Sequence, residues 1–174
     1  DCGCVIPNAA LTIKTEPGDG PRQFVFDQSG KHLYLLTELS NTVRVYAYDS
    51  ETGKATFLQS LSMLPNECVA DTIGACIKLS PNGAFLYASN RGHDSIASYR
   101  VQADGTLRPL GIQQAGAKTP RDFNITPDGK FLLGGFQDSD ELILYAINPG
   151  NGQLTEIERT PCKSPTAVLF ADYE

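Results

Sequence analysis

The sequence predicts an all-β protein of the β-propeller class, and two observations lead to that prediction. An apolar strand, a glycine-containing turn, a second apolar strand, a polar loop and a third strand occur in this order three times, around Gly30, Gly83 and Gly129. The spacings of 53 and 46 residues between these glycines lie in the range typical of solenoids and propellers. Strand-like segments with a turn every 8 to 12 residues or so favour blades of about four strands.

Three complete four-stranded antiparallel blades are predicted, at about residues 21–61, 74–112 and 120–157. In the first of them, the apolar segments place strands near 23–26, 33–37, 42–48 and 56–61. Turn-forming residues precede the last strand of each unit: a Thr-Gly pair at 52–53, an Asp-Gly pair at 104–105 and an Asn-Gly pair at 151–152.

One further strand is predicted at each end of the chain. Residues 9–14 contain a short alternating segment bounded by turn residues, which suits the outer strand of a preceding blade. Residues 166–170 are apolar and align with the first strand of each unit, as expected of a closing inner strand. Ring closure needs at least about four blades, and an open arc exposes apolar faces. We therefore expect the C-terminal half of a larger propeller, with the missing half-propeller supplied by the same protein or by a second chain.

Composition excludes several classes of partner and cofactor. The chain has 14 basic and 20 acidic residues, a net charge of −6, which disfavours nucleic acid. No apolar run reaches 18 residues, so we expect no membrane span. The sequence lacks a paired CxxC motif, HExxH, a glycine-rich phosphate loop and a nucleophile elbow, so we expect neither a metal nor another cofactor.

The five cysteines allow two interpretations. Cys68 and Cys76 bracket the segment that lengthens the first repeat, and a disulfide between them would pin that loop and indicate an oxidising, secreted location. Alternatively, Cys76 is a buried free thiol and the protein is cytoplasmic. The sequence does not pair Cys2, Cys4 and Cys162, and the odd count leaves at least one cysteine without a partner in this chain.

Four strings carry a family resemblance: GPRQFVF at 20–26, ELSNTV at 38–43, SNRGHDSI at 89–96 and TPRDF at 119–123. They resemble the lactonase family of seven-bladed β-propellers, which includes bacterial 6-phosphogluconolactonases and fungal carboxy-cis,cis-muconate cyclases. The resemblance extends over almost the whole chain, and a complete member is about twice as long, consistent with the half-ring expected from the repeats.

The resemblance implies an active site in the central channel that opens or closes a lactone. Its substrate would be a small anionic lactone or the open acid, such as a sugar acid or a carboxymuconate, so the enzyme would be a hydrolase or an isomerase. Muconate-type members have a site formed by two arginines, a glutamate and a histidine, and the first three match Arg22, Arg91 and Glu38. The histidine would precede Asp1, so we expect this chain to be inactive alone.

Comparison of the repeats with one another indicates the same region. Aligning the turn glycines places Glu38, Arg91 and Gln137 at one equivalent position, just after the second strand. A position that varies among charged and polar types on a repeated scaffold is expected to serve a site.

Arg22 and Arg121 form a second equivalent pair, with Ala75 between them in the middle unit. Arginines around a channel would suit an anionic substrate. We expect Glu38 and Arg91 in catalysis and Arg22, Arg121 and Gln137 in substrate binding. The alternative is a structural ion pair between blades.

His93 is a third candidate acid–base residue, with a loop-capping role as the alternative. Asn41, Asp94 and Asp140 recur at one loop position and indicate turn chemistry rather than a site. The alternative to an enzyme is a non-catalytic propeller that acts as a binding or surface protein, since propellers host many functions.

Overall fold

The computed structural model describes residues 3–4, 6–68 and 71–171. In this part of the chain, strands form three antiparallel sheets of four, each in sequence order. Blade 1 contains β1 (Pro21–Phe26), β2 (His32–Thr37), β3 (Thr42–Asp49) and β4 (Lys54–Ser62). Blade 2 contains β5 (Ile73–Leu79), β6 (Phe85–Arg91), β7 (Ser95–Val101) and β8 (Leu107–Gln114). Blade 3 contains β9 (Pro120–Ile125), β10 (Phe131–Phe136), β11 (Glu141–Ile147) and β12 (Leu154–Pro161).

These sheets confirm the predicted fold class. A 3₁₀ turn, Gln137–Ser139, follows β10. Over the described ranges, no helix is long and apolar enough to cross a membrane.

The turn between the first two strands of each blade is closed by a hydrogen bond at the same position, but the accepting side chain differs between blades. A side-chain oxygen accepts the N–H group that opens the second strand. The donor–acceptor distances are 3.1 Å from His32 to Asp27, 2.9 Å from Phe85 to Ser80 and 3.1 Å from Phe131 to Thr126. The repeat therefore conserves the geometry while only blade 1 uses a titratable group.

Apolar side chains lie between neighbouring blades. One buried cluster joins blades 1 and 2, and another joins blades 2 and 3. Tyr34 and Tyr87, at equivalent positions of β2 and β6, are fully buried and reach into the following blade. Their hydroxyls donate to the carbonyls of Gly105 (3.0 Å) and Gly152 (2.8 Å), in the turns before the outer strands. A side chain would not fit at Gly152, because its Cβ would lie 2.5 Å from the Phe85 ring.

The single strands predicted at 9–14 and 166–170 do not pair with any sheet among the described residues. Residues 9–11 form a turn instead, and residues 165–171 run without ladder hydrogen bonds. The physical reason is that a strand needs a neighbouring strand to satisfy its backbone groups, and this arc provides none for either segment.

The two segments nevertheless lie against the open faces of the arc. Ile13 packs against the cluster of Leu33, Leu35 and Tyr46 on the side of blade 1 away from blade 2. Val168 donates its N–H to Asp122 Oδ2 at 2.8 Å, as Ile77 N–H donates to Gln23 Oε1 at 3.2 Å between blades 1 and 2. Residues 165–171 therefore occupy the place of the next blade's inner strand.

The disulfide predicted between Cys68 and Cys76 is wrong, since both are free thiols in the structure. Cys76 lies buried between blades 2 and 3, where its Sγ donates to the carbonyl of Phe123 at 3.5 Å, and Cys68 lies in a half-exposed loop. Burial, followed by the nearby carboxylate of Asp122, raises the pKa of the Cys76 thiol. The prediction of an oxidising compartment depended on this disulfide and loses that support. Cys162 is also a free thiol, and Cys2 lies outside the described residues.

Two equivalent tyrosines give a matched test of packing between blades. Tyr99 donates its hydroxyl to the carbonyl of Ser62 in blade 1 at 2.9 Å, whereas the buried Tyr145 hydroxyl has no partner in the described chain. Tyr99→Phe should therefore lower the free energy of unfolding by about 1 kcal/mol, as expected for a lost hydrogen bond. Tyr145→Phe should leave it unchanged or raise it, because it removes a buried hydroxyl that has no acceptor. Urea unfolding measures both, and an equal loss in the two variants would contradict the expectation.

The titratable turn of blade 1 predicts a pH dependence. Burial alone would raise the pKa of Asp27, but hydrogen bonds from His32, Ser29 and Lys31 outweigh it and hold the pKa below its ordinary 3.8. The carboxylate thus stabilises the fold above that ordinary value, and the contribution is lost as the pH falls through the lowered pKa. Asp27→Ser, which introduces the residue found in blade 2, should show a smaller loss of stability between about pH 6 and about pH 3. Thr126→Ser in blade 3 is the control. The measurement is the urea midpoint at each pH, and in this control the midpoint should change between the two pH values as much as it does in the wild-type protein.

Candidate active site

Glu38, Arg91 and Gln137 lie where the second strand of their blade ends. Glu38 follows β2, Arg91 is the last residue of β6, and Gln137 follows β10. Equivalent ends of neighbouring blades lie on one rim of a propeller. The structure therefore places the three residues on the same rim of the arc.

Glu38 and Arg91 form an ion pair across the junction of blades 1 and 2. Glu38 Oε1 lies 2.5 Å from Arg91 Nη2, and the same nitrogen donates to the carbonyl of Gly74 at 3.2 Å. The arginine side chain is 13% exposed and the glutamate side chain 32% exposed. The carboxylate is thus held in place by the guanidinium but still open to solvent.

Arg22 approaches the other oxygen of the same carboxylate. It lies in β1, the edge strand of blade 1, and its Nε is 3.8 Å from Glu38 Oε2. Its Nη1 donates to the carbonyl of Ala75 in blade 2. Glu38 is therefore flanked by two arginines, each of which also contacts the backbone at the start of β5.

Arg121 and Gln137 repeat this arrangement in blade 3 without a carboxylate. Arg121 Nη1 donates to Gln137 Oε1 at 3.1 Å. The pair joins the same two repeat positions as Arg22 and Glu38. Blade 3 thus presents a cationic and an amide group on the rim where blade 1 presents a cationic and an acidic group.

Gly74 positions the ion pair, and the sequence comparison did not select it. Its N–H donates to the carbonyl of Glu38 at 2.7 Å, and its own carbonyl accepts from Arg91. A Cβ at this position would lie 2.8 Å from Met63 Cε and 2.9 Å from the carbonyl oxygen of Thr37. The signal in the sequence was the pair Gly74-Ala75, which stands where the flanking units have Pro-Arg.

His93 contacts its own blade. Its Nδ1 lies 2.8 Å from Ser95 Oγ, and its Nε2 lies 2.9 Å from Gln114 Nε2 at the end of the outer strand β8. The structure brings neither Glu38 nor Arg91 to its ring, and both ring nitrogens have partners that fix the loop. These contacts are those of the loop-capping alternative.

Three cavities lie away from these residues. One of about 600 Å³ separates β8 from the last hairpin of blade 3, one of about 370 Å³ lies beside Arg159, and one of about 750 Å³ lies beside the Pro81 and Pro127 turns. None of the three is lined by Arg22, Glu38 or Arg91. Within the described ranges, no group of three or more His, Cys, Asp and Glu side chains could hold a metal.

The family profile described as "Lactonase, 7-bladed beta-propeller" matches residues 7–170. The chain belongs to this lactonase family of β-propellers. It is 34% identical to a Serratia proteamaculans protein named 6-phosphogluconolactonase, over 91% of this chain and 48% of that one.

Two solved structures share the fold closely. A Lactobacillus plantarum protein matches with a TM-score of 0.89 and 33% identity, over 92% of this chain and 47% of that one. A Pseudomonas aeruginosa structure described as a periplasmic gluconolactonase matches with a TM-score of 0.84 and 32% identity, over 88% and 43%. The chain thus spans less than half the length of these relatives.

A methyl group at Gly74 should separate blades 1 and 2 beneath the ion pair. Gly74→Ala places a Cβ against the backbone of β2, and such overpacking should lower the free energy of unfolding by about 1–3 kcal/mol. Gly111→Ala in the outer strand β8 is the matched control, since a Cβ there meets no atom within 4 Å. Urea unfolding of both variants is the measurement. A Gly74→Ala protein as stable as the control would contradict the expectation, because it would show that blade 1 can move to accommodate the methyl group without a loss in the free energy of unfolding.

Proposed function

We propose that the protein containing this chain is a lactonase that hydrolyses a small anionic sugar lactone at the rim formed by Glu38, Arg22 and Arg91. The observation that carries the proposal is a partly exposed carboxylate held between two arginines from two blades. The names of the Serratia and Pseudomonas relatives support lactone hydrolysis rather than the reverse cyclisation.

The chemistry assigns a role to each group. Hydrolysis adds water to the lactone carbonyl carbon and breaks the single bond between that carbon and the ring oxygen, which takes up a proton. Glu38 would accept the proton of the attacking water and then return it to the ring oxygen, and Arg91 would stabilise the negative charge that develops on the carbonyl oxygen. Arg22, together with Arg121 and Gln137, would hold the acidic groups of the substrate. The resemblance to muconate-type members adds a histidine from outside this chain.

The hydrogen bonding of Arg91 leaves one of its donors without a partner. Its Nη2 has two acceptors, but its buried Nε–H has no acceptor among the described residues. Arg44, which pairs with Asp19 at 2.6 Å, also has a buried Nε–H without an acceptor in that part of the chain. The proposal therefore rests on the exposed carboxylate between two arginines and not on the Nε–H of Arg91.

The competing function is a non-catalytic propeller in which the same contacts only join the blades. Glu38 Oε1 and the carbonyls of Gly74 and Ala75 would then be sufficient partners for both arginines. The two functions predict different results when the carboxylate is removed from a protein that still folds: a lactonase would lose turnover, whereas a non-catalytic propeller has no turnover to lose.

Replacing Glu38 in the complete protein separates these functions. Glu38→Gln keeps the size of the side chain and removes its basicity, so lactone turnover should fall at least about 100-fold, as expected when a general base is lost. The proton released during hydrolysis of glucono-δ-lactone and of its 6-phosphate provides the assay.

Glu141→Gln is the matched control, since Glu141 also faces an arginine, with its Oε1 3.2 Å from Arg159 Nη1, but in the outer half of blade 3. It should retain wild-type turnover. If Glu38→Gln turns over both lactones as fast as the control, Glu38 is not the base. If the complete wild-type protein binds a sugar acid without turning over either lactone, the binding-protein alternative is correct.

A further inference from the structure

The loop position that the sequence assigns to turn chemistry does more than form a turn. Asn41, Asp94 and Asp140 all have left-handed backbone conformations, with φ of 52°, 53° and 54°. Asparagine and aspartate tolerate this conformation better than other residues with a side chain, which confirms the turn role. Their side chains, however, also reach the segment that enters the next blade.

The polarity of that second contact differs in blade 1. Asp94 Oδ1 accepts the N–H of Thr119 at 2.8 Å, and Asp140 Oδ1 accepts the N–H of Ser164 at 2.8 Å. Asn41 makes the reverse bond, because its Nδ2 donates to the carbonyl of Thr72 at 2.9 Å. An aspartate could not donate this bond, so the amide is required at the junction of blades 1 and 2.

Asn41 also contacts a second buried amide in blade 2. Asn90, which is fully buried at the end of β6, donates its Nδ2 to Asn41 Oδ1. Its own Oδ1 accepts the N–H of His93 at 3.3 Å. The buried Asn41 thus connects a turn of blade 1 with the residue before β5 and with the end of β6, both in blade 2.

This amide bridge joins the same two segments as the ion pair. Asn41 is three residues after Glu38, and Asn90 directly precedes Arg91. An ion pair with a partly exposed carboxylate is a weak constraint on two long side chains, because solvent screens it and side-chain entropy opposes it. Buried amides that hydrogen-bond to each other across the junction are a stronger constraint on the backbone.

We propose that Asn41 and Asn90 are positioning residues, which hold the two segments so that Arg91 meets Glu38 in the geometry that lactone hydrolysis uses. The proposal deepens the proposed function and rests on it for its catalytic part. Its structural part, the order of the Arg91 side chain, does not need turnover to be observed.

The test compares Asn41→Gly with Asp140→Gly. Both changes keep a left-handed turn. Asn41→Gly removes two side-chain bonds to blade 2, those with Thr72 and Asn90, and Asp140→Gly removes one bond to the segment that follows blade 3, but only the first change lies beside the ion pair. In the complete protein, the Arg91 Nε–H signal in a nitrogen–proton correlation spectrum, assigned from Arg91→Lys, should broaden or shift in Asn41→Gly and remain in Asp140→Gly. In the complete protein, kcat should fall about tenfold or more in Asn41→Gly with a smaller change in KM, since misplaced groups lose rate.

Asn41→Asp is the second variant, which retains the turn and the acceptor for Asn90 but cannot donate to Thr72. It should disorder Arg91 as Asn41→Gly does. A wild-type Arg91 signal in both Asn41 variants would overturn the proposal, as would an equal effect of Asp140→Gly. If the complete protein shows no lactone turnover, the proposed function fails, while the Arg91 signal still decides whether the amides position this side chain.

Discussion

A four-stranded blade cannot bury its two faces by itself, and the rest of this structure depends on that constraint. Each face becomes dry only when the next blade packs on it, as in the clusters between blades 1 and 2 and between blades 2 and 3. The contact also fixes the side chains at the rim. Glu38 and Arg91 meet because β5 packs against the end of β2, where Gly74 allows backbone to approach backbone.

The same constraint explains the outer faces of the arc. Phe24 and Phe26, on the side of blade 1 away from blade 2, remain 58% and 41% exposed, although Ile13 packs on part of that face. At the other end, Val168 takes the hydrogen bond that an inner strand of a next blade would take. Because the chain spans less than half of its relatives, we propose that the remaining blades cover these faces and complete the wall around the candidate site.

In this repeated fold, the hydrogen bonding at a blade junction changes with one side-chain atom, an oxygen in aspartate or a nitrogen in asparagine. The turn position after the second strand accepts a hydrogen bond from the next blade when it is aspartate and donates one when it is asparagine. The rim position before it is acidic, basic or amide in successive blades. The repeated backbone therefore supports a different set of polar groups at each junction, and the junction with the buried amide pair also holds the candidate catalytic pair.

The sequence by itself determined the blades, their strands and the repeat positions that matter, because alternation and turn residues are local properties of the chain. It also indicated Glu38 and Arg91, since aligned repeats show where the scaffold varies. Only the tertiary structure decided which groups touch. It placed Cys76 between blades rather than in a disulfide, turned His93 towards Gln114, and left the segments at 9–14 and 166–170 outside any sheet. It also revealed Gly74 and the Asn41–Asn90 bridge, because contacts between residues about 50 positions apart depend on how one blade packs against the next, and no local pattern records that packing.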